Sequence, residues 1–146
     1  MTQELLYDKR DEIGWIIFNR PQARNALTFA MYEGLAEICA RVGTTREVKA
    51  LVVTHGGKGS QIHAGGRIID IPTAKAESLT DPTGCGDAYR GGLLYGLLNK
   101  LDWETTGRVA SLMGAYCIER PGTQNHRFTM DQFRSRYKKA FRVALA

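Results

Sequence analysis

An α/β fold is what this sequence predicts, and three observations carry that reading. A β-rich segment, a helical segment and a second β-rich segment follow one another between residues 12 and 54. The second β-rich segment, Val48 to Thr54 (VKALVVT), is a near-continuous apolar run of the kind buried inside a parallel sheet. Three further segments with helical periodicity fill the chain from residue 86 onward.

Glu12 to Phe18 (EIGWIIF) is short and rich in β-branched and aromatic residues, so it reads as a strand. Asn19-Arg20-Pro21 ends it, because proline cannot continue a central ladder. Thr28 is the expected N-cap of a helix reaching about Val42, with Met31, Leu35, Ile38 and Val42 at three- and four-residue steps. Gly43-Thr44-Thr45 closes that helix. Together with the strand at Val48 to Thr54 it makes a strand-helix-strand unit, whose crossover is expected to be right-handed. His55 to Gly59 is then a tight loop, and Ser60 to Ala64 with Arg67 to Ile71 reads as a hairpin about Gly65-Gly66.

Ile71-Pro72 opens a polar connector, after which helices are expected over Gly86–Lys100, Trp103 to about Glu119, and Thr129 to about Ala144. Asp102, with Thr105 shortly after it, supplies an N-terminal cap for the second of these. Gly91, Gly92 and Gly96 lie inside the first, each at a cost of ~1 kcal/mol against Ala. Close packing of that helix on the sheet or on its neighbour would explain them.

A chain of 146 residues suffices for one ordinary core, so a single compact domain is expected. With 43% hydrophobic and 24% charged residues, it reads as globular rather than disordered. No apolar run approaches the ~20 residues of a membrane helix, and the start, MTQELLYDKRDE, is too charged for a secretory signal. Cys39, Cys85 and Cys117 are sparse and far apart, which suggests reduced thiols in the cytoplasm. His55 and His63 have no partners at metal-ligand spacing.

The formal net charge of +5 gathers near the C-terminus, in Arg127, Arg134, Arg136, Lys138, Lys139 and Arg142. Phe133, Tyr137, Phe141 and Leu145 recur at four-residue steps through the same stretch, so the basic residues form the outer face of an amphipathic helix. That face reads as solvated. Nucleic-acid binding is not expected, because the aromatics there are needed for the core.

The stretch Asp81-Pro82-Thr83-Gly84-Cys85-Gly86-Asp87 places small residues between two carboxylates, directly ahead of a helix. Gly84 and Gly86 allow backbone N–H groups to converge on an anion at the helix N-terminus, where the macrodipole favours negative charge. A carboxylate would repel that anion, so Asp87 makes sense as a base that takes a proton from a hydroxyl attacking a phosphate. The plainer readings are a tight turn for Gly84 to Gly86, and for Asp87 a carboxylate that stabilises the helix dipole by ~0.3–1 kcal/mol. Cys85 is either a small spacer or a thiol of depressed pKa. Asp81 either assists through Mg²⁺ or caps the loop.

These residues resemble the D-T-x-G-A-G-D motif of the ribokinase-like carbohydrate and nucleoside kinases (the phosphofructokinase B family), with Cys85 where that family usually has Ala. The resemblance covers about residues 48–146, and ASLMGAYCIERPGTQNHRF is similar to adenosine-kinase-type members. It implies a ribokinase-like C-terminal half, with a parallel sheet, flanking helices and a C-terminal helical run, preceded by a strand-helix segment. It also implies Asp87 as general base, and an anion hole of Gly84, Cys85 and Gly86. ATP would bind near Thr54, Gly56, Gly57 and Gly59, and Mg²⁺ would bridge its phosphates. Asn125 and His126 would lie by the adenine, or belong simply to a surface loop.

The segment EIGWIIFNRPQARNALTFAMYEGLAEIC resembles a different family, the enoyl-CoA hydratase/isomerases (crotonases), through its N-R-P-x-x-x-N-A-L pattern. In that family the backbone N–H at Ala26 would be half of an oxyanion hole. The sequence therefore reads as a chimera, crotonase-like over 1–47 and ribokinase-like over 48–146. His63-Ala64-Gly65-Gly66-Arg67 mimics the crotonase A-G-x-D glycine motif, but Arg67 stands in place of its acid. The expected activity is ATP-dependent phosphorylation of a sugar or nucleoside hydroxyl, with adenosine-like acceptors preferred. The alternatives are an acyl-CoA enzyme and a non-catalytic remnant that self-associates through an open sheet edge.

Overall fold

The computed structural model describes residues 3–10, 13–23, 25–44 and 50–145. The elements, in order, are β1 (Leu5–Arg10), β2 (Ile13–Phe18), α1 (Phe29–Thr44), β3 (Ala50–Thr54), β4 (Ser60–Ala64), β5 (Arg67–Ile71), α2 (Cys85–Leu98), α3 (Trp103–Ile118) and α4 (Met130–Phe141). Short 3₁₀ turns occupy Pro21–Ala23 and Gly56–Lys58. Glu12, Thr45, Val48 and Lys49, expected to bound three of these elements, lie outside the described residues, as does the expected boundary between 47 and 48. The fold is mixed α/β, and it divides into two compact units, Met1–Leu51 with His63–Gly66, and Val52–Ile62 with Arg67–Ala146.

In the first unit β1 and β2 pair antiparallel, from Leu5 opposite Phe18 to Arg10 opposite Ile13. β1 is not expected from the sequence, because Asp8, Lys9 and Arg10 disguise its two-residue alternation. Along it Leu5 is fully buried, Leu6 is exposed and Tyr7 is half-buried. Leu5 packs with Met31, Ile38 and Val42 of α1, the face the periodicity predicted. Thr28 caps α1 as expected, its Oγ1 accepting the Met31 N–H at 3.3 Å. Gly34 is small because a Cβ there would come within 3.0 Å of Leu5 Cδ2.

Among the described residues the expected strand-helix-strand unit does not share one sheet. β2 pairs with β1, while β3 belongs to a separate sheet of order β3-β4-β5. Neighbours in that sheet are consecutive strands joined through 55–59 and 65–66, connections too short for a crossover, so parallel pairing is absent from the sheets of the described residues. From Ala50 to Val53 β3 is only half-buried, not the doubly covered strand its apolar run suggested.

In the second unit α3 is the hub. Its Val109, Leu112 and Ala115 form a core with Ala74, Phe133, Tyr137 and Leu145. Full burial of a side chain such as Leu112 contributes ~1.5–3 kcal/mol. Asp102 caps α3, Oδ1 accepting the Thr105 N–H at 2.9 Å and Oδ2 accepting its hydroxyl at 2.7 Å. A capping box opens α4, where Thr129 and Gln132 satisfy each other's backbone N–H. That helix stops at Phe141, short of the expected Ala144, because Arg142 turns left-handed at φ 62°. Leu145 still returns to the core.

Two of the three α2 glycines have the expected packing reason. A Cβ on Gly92 would overlap the Ala110 backbone, and one on Gly96 would meet Thr106 Oγ1 at 2.5 Å. Gly91 is different: nothing lies within 4 Å of its missing Cβ, so packing does not explain it.

Candidate functional site

Gly84 is the N-cap of α2 and adopts the left-handed conformation at φ 82°, which glycine reaches without steric cost. A Cβ there would also approach Thr123 Cα at 2.9 Å, so the residue is doubly constrained. Gly86 differs, since its missing Cβ would face open space. A helix start leaves its first N–H groups without intrahelical partners. The Cys85 N–H goes to Pro82 O at 3.2 Å, and Gly84 has no side chain with which to cap the rest. The turn therefore presents backbone N–H groups and an unobstructed glycine at the positive end of a helix dipole.

Asp87 lies in the first turn of α2, its side chain about 70% exposed and paired with Arg90 three residues on. An exposed pair of this kind contributes no more than ~1 kcal/mol, so the carboxylate is readily released for another partner.

Asp81 supports the loop from behind. Its Oδ1 accepts the Thr83 N–H at 2.9 Å and its Oδ2 the Gly122 N–H at 2.8 Å. The Gly122 bond, then those from Thr83, hold its carboxyl down from 3.8 to about 2. Both oxygens serve backbone donors, so of its two readings the arrangement fits the cap. As a ligand of Mg²⁺ it would have to share one of these oxygens with a backbone N–H.

Cys85 is half-buried, and burial, with Cys117 beside it, pushes its thiol up from 9.0 to about 11. The depressed-pKa reading is therefore corrected: burial, Cys117 and the Asp81 charge outweigh the backbone N–H that favours the thiolate. Cys117 donates weakly toward Thr83 O (3.6 Å) and Thr123 O (3.8 Å). The structure thus brings the loops 81–85 and 121–125 together.

The nucleotide-side candidates form a second group. The loop after β3 is closed by His55 N–H to Gly59 O at 2.8 Å, with Gly56 at φ 57° and Gly59 at φ 98°. Gly57 O accepts the Thr73 hydroxyl at 3.0 Å, and Thr54 is exposed. A 2.6 Å bond between the Ser60 and Tyr89 hydroxyls ties the start of β4 to α2. Asn125 is exposed and closes its own turn onto Pro121 O at 2.6 Å. The roles of Thr83, Gly122, Thr123 and Tyr89 were not read from the sequence. Gly122 is 41 residues from Asp81, and no local pattern announces such a partner.

An α/β unit with an uncapped, glycine-flanked helix start and a carboxylate in its first turn is laid out to receive an anion beside that carboxylate. A family model of pfkB carbohydrate kinases matches residues 11–129, and the chain belongs to that family. It is 30% identical over 141 residues to a nucleoside kinase of Methanocaldococcus jannaschii, covering 94% of this chain and 43% of that protein. The solved structure of Burkholderia thailandensis nucleoside kinase in complex with inosine is 40% identical, with a TM-score of 0.70 over 78% of this chain and 39% of that one. The same kinase in complex with ADP-inosine gives 41% identity and a TM-score of 0.69, over 77% and 37%. The crystal structure of the M. jannaschii nucleoside kinase, described as an archaeal member of the ribokinase family, is 32% identical with a TM-score of 0.66, over 76% and 38%.

The chain spans less than half the length of these relatives. The family match begins at residue 11 and therefore runs through the crotonase-like segment; it gives no support to a chimera. No helix of the described residues is long and apolar enough to cross a membrane.

Proposed function

We propose that this chain is the nucleotide-side portion of an ATP-dependent kinase that phosphorylates a hydroxyl of a nucleoside or sugar. The observation that carries the reading is the start of α2, where Gly86 opens onto free space beside the exposed Asp87 carboxylate. Asp87 takes the proton of the acceptor hydroxyl, whose oxygen then attacks the γ-phosphorus as the bond to ADP breaks. N–H groups of the Gly84-Cys85-Gly86 turn receive the charge that develops on the transferring group.

The loop with Thr54, Gly56, Gly57 and Gly59 holds the nucleotide, with Asn125 at its base side. Magnesium accompanies the nucleotide as counter-ion of the phosphates, and no step is routed through Asp81. The acceptor is assigned to the nucleoside class, since the Burkholderia relative is solved with inosine and with ADP-inosine. A cytoplasmic setting follows from the same reading. Self-association belongs to the alternative of a non-catalytic remnant, and the edge strand β5 is where such pairing would occur.

The test is ADP release with inosine, adenosine, ribose and fructose phosphate, comparing wild type with Asp87→Asn. A general base contributes about 10²–10⁴-fold, so the variant should lose at least 100-fold with inosine. Equal rates in the two proteins would remove Asp87 from the role. Acetyl-CoA, titrated alongside ATP, should give no heat; heat from the acyl-CoA alone would restore the crotonase reading.

A further inference from the structure

A second region of charge lies along α4. Two adjacent cavities, of about 580 and 610 Å³, share Glu77, Arg136 and Lys139 as walls and together make a two-part trough along α4. Its floor is already built. Arg136 donates to both oxygens of Glu119 and to Lys75 O, and stacks on the Tyr116 ring at 4.4 Å. Glu119 also accepts the Glu77 N–H at 2.7 Å. The rim carries Lys75, Arg120, Arg127, Lys139 and Arg142, none of them in an ion pair among the described residues. His126 adds a buried Nδ1 with no partner. Against these stand only Glu77 and Asp131, once Glu119 is counted with Arg136.

We propose that this trough is a docking site for an extended acidic peptide segment of another protein. The lining residues of α4 and its C-cap run from Asp131 to Arg142, about 16 Å along the helix axis. That is the length of about five residues of extended peptide. Excess positive charge with two carboxylates among it suits a chain carrying both acidic side chains and backbone N–H donors. A nucleic acid fits less well. Arg136 covers one part of the Tyr116 ring and Phe128 packs on it at 4.6 Å, so that ring is taken and cannot stack on a base. None of the lining residues belongs to the start of α2.

Fluorescence anisotropy with a labelled hexaglutamate peptide and the 146-residue chain tests the proposal. Saturable binding at low salt is expected, weakening as screening increases. The double variant Arg127→Glu/Lys139→Glu should bind at least tenfold more weakly. A control of equal net charge, Lys9→Glu/Arg67→Glu, should change binding less than twofold. In ¹⁵N spectra of the wild type, shifts on adding the peptide should cluster at residues 75–77, 119–127 and 131–142. Lack of saturable binding, equal loss in both double variants, shifts elsewhere, or tighter binding of a single-stranded hexanucleotide would each overturn the proposal.

Discussion

Gly91 and Gly92 are neighbours in α2 that should respond in opposite directions to the same substitution. Either glycine, replaced by Ala, gains ~1 kcal/mol in helix propensity. For Gly91 that is the whole effect, since nothing lies within 4 Å of the new methyl group, and Gly91→Ala should stabilise by about that amount. For Gly92 the methyl group would overlap the Cα and N of Ala110, which are backbone atoms that cannot rotate away. Overpacking costs about 1–3 kcal/mol, and a backbone collision belongs at the upper end, so Gly92→Ala should destabilise by about 1–2 kcal/mol net. The two variants should therefore differ by about 2–3 kcal/mol, or roughly 10 °C in melting temperature at about 4 °C per kcal/mol. Urea unfolding followed by far-UV circular dichroism, with unchanged m-values, measures the difference. Shifts of the same sign in both variants would refute the assignment of Gly92 to the α2–α3 contact.

Further outcomes follow from the loops and the ion pair. Asp81 is held at about 2 in the folded state against an ordinary 3.8, so its stabilising contribution is present above about pH 4 and lost as pH falls through about 2. Asp81→Asn should therefore flatten the acid side of the melting-temperature profile; an unaltered slope would show the cap to be unimportant. With its thiol raised from 9.0 to about 11, Cys85 should be alkylated at pH 7.5 about 100-fold more slowly in the native chain than in urea. Peptide mapping by mass spectrometry gives that ratio, and comparable rates would contradict the burial. Glu119→Ala leaves Arg136 unpaired with its side chain only 13% exposed, and should cost about 2–3 kcal/mol in chemical unfolding. A loss below ~0.5 kcal/mol would mean that the pair acts as an ordinary surface bridge.

Local pattern was enough for most elements. The hairpin Ser60–Ala64 with Arg67–Ile71, the caps at Thr28 and Asp102, and the buried stripe of α4 all follow from residue type and spacing within a few positions. The candidate site was legible for the same reason, because seven consecutive residues, Asp81 to Asp87, carry the turn, the helix start and both carboxylates. β1 was missed because its alternation lasts only a few residues before Asp8, Lys9 and Arg10 hide it.

What the sequence determined by itself is therefore everything decided within one turn or one strand: the mixed α/β class, the order of most elements, and a glycine-flanked helix start with an acid in its first turn. Pairing and exposure were decided by the tertiary structure. It joined β2 to β1 and left β3 half-buried, set Asp81 on Gly122, raised the Cys85 thiol, and separated Gly92, pressed on Ala110, from Gly91, which touches nothing. The physical reason is distance along the chain. A cap or a turn is satisfied by atoms three or four residues away, whereas a ladder partner, a second hydrogen bond to a carboxylate, or the loss of water around a thiol depends on residues that only folding brings alongside.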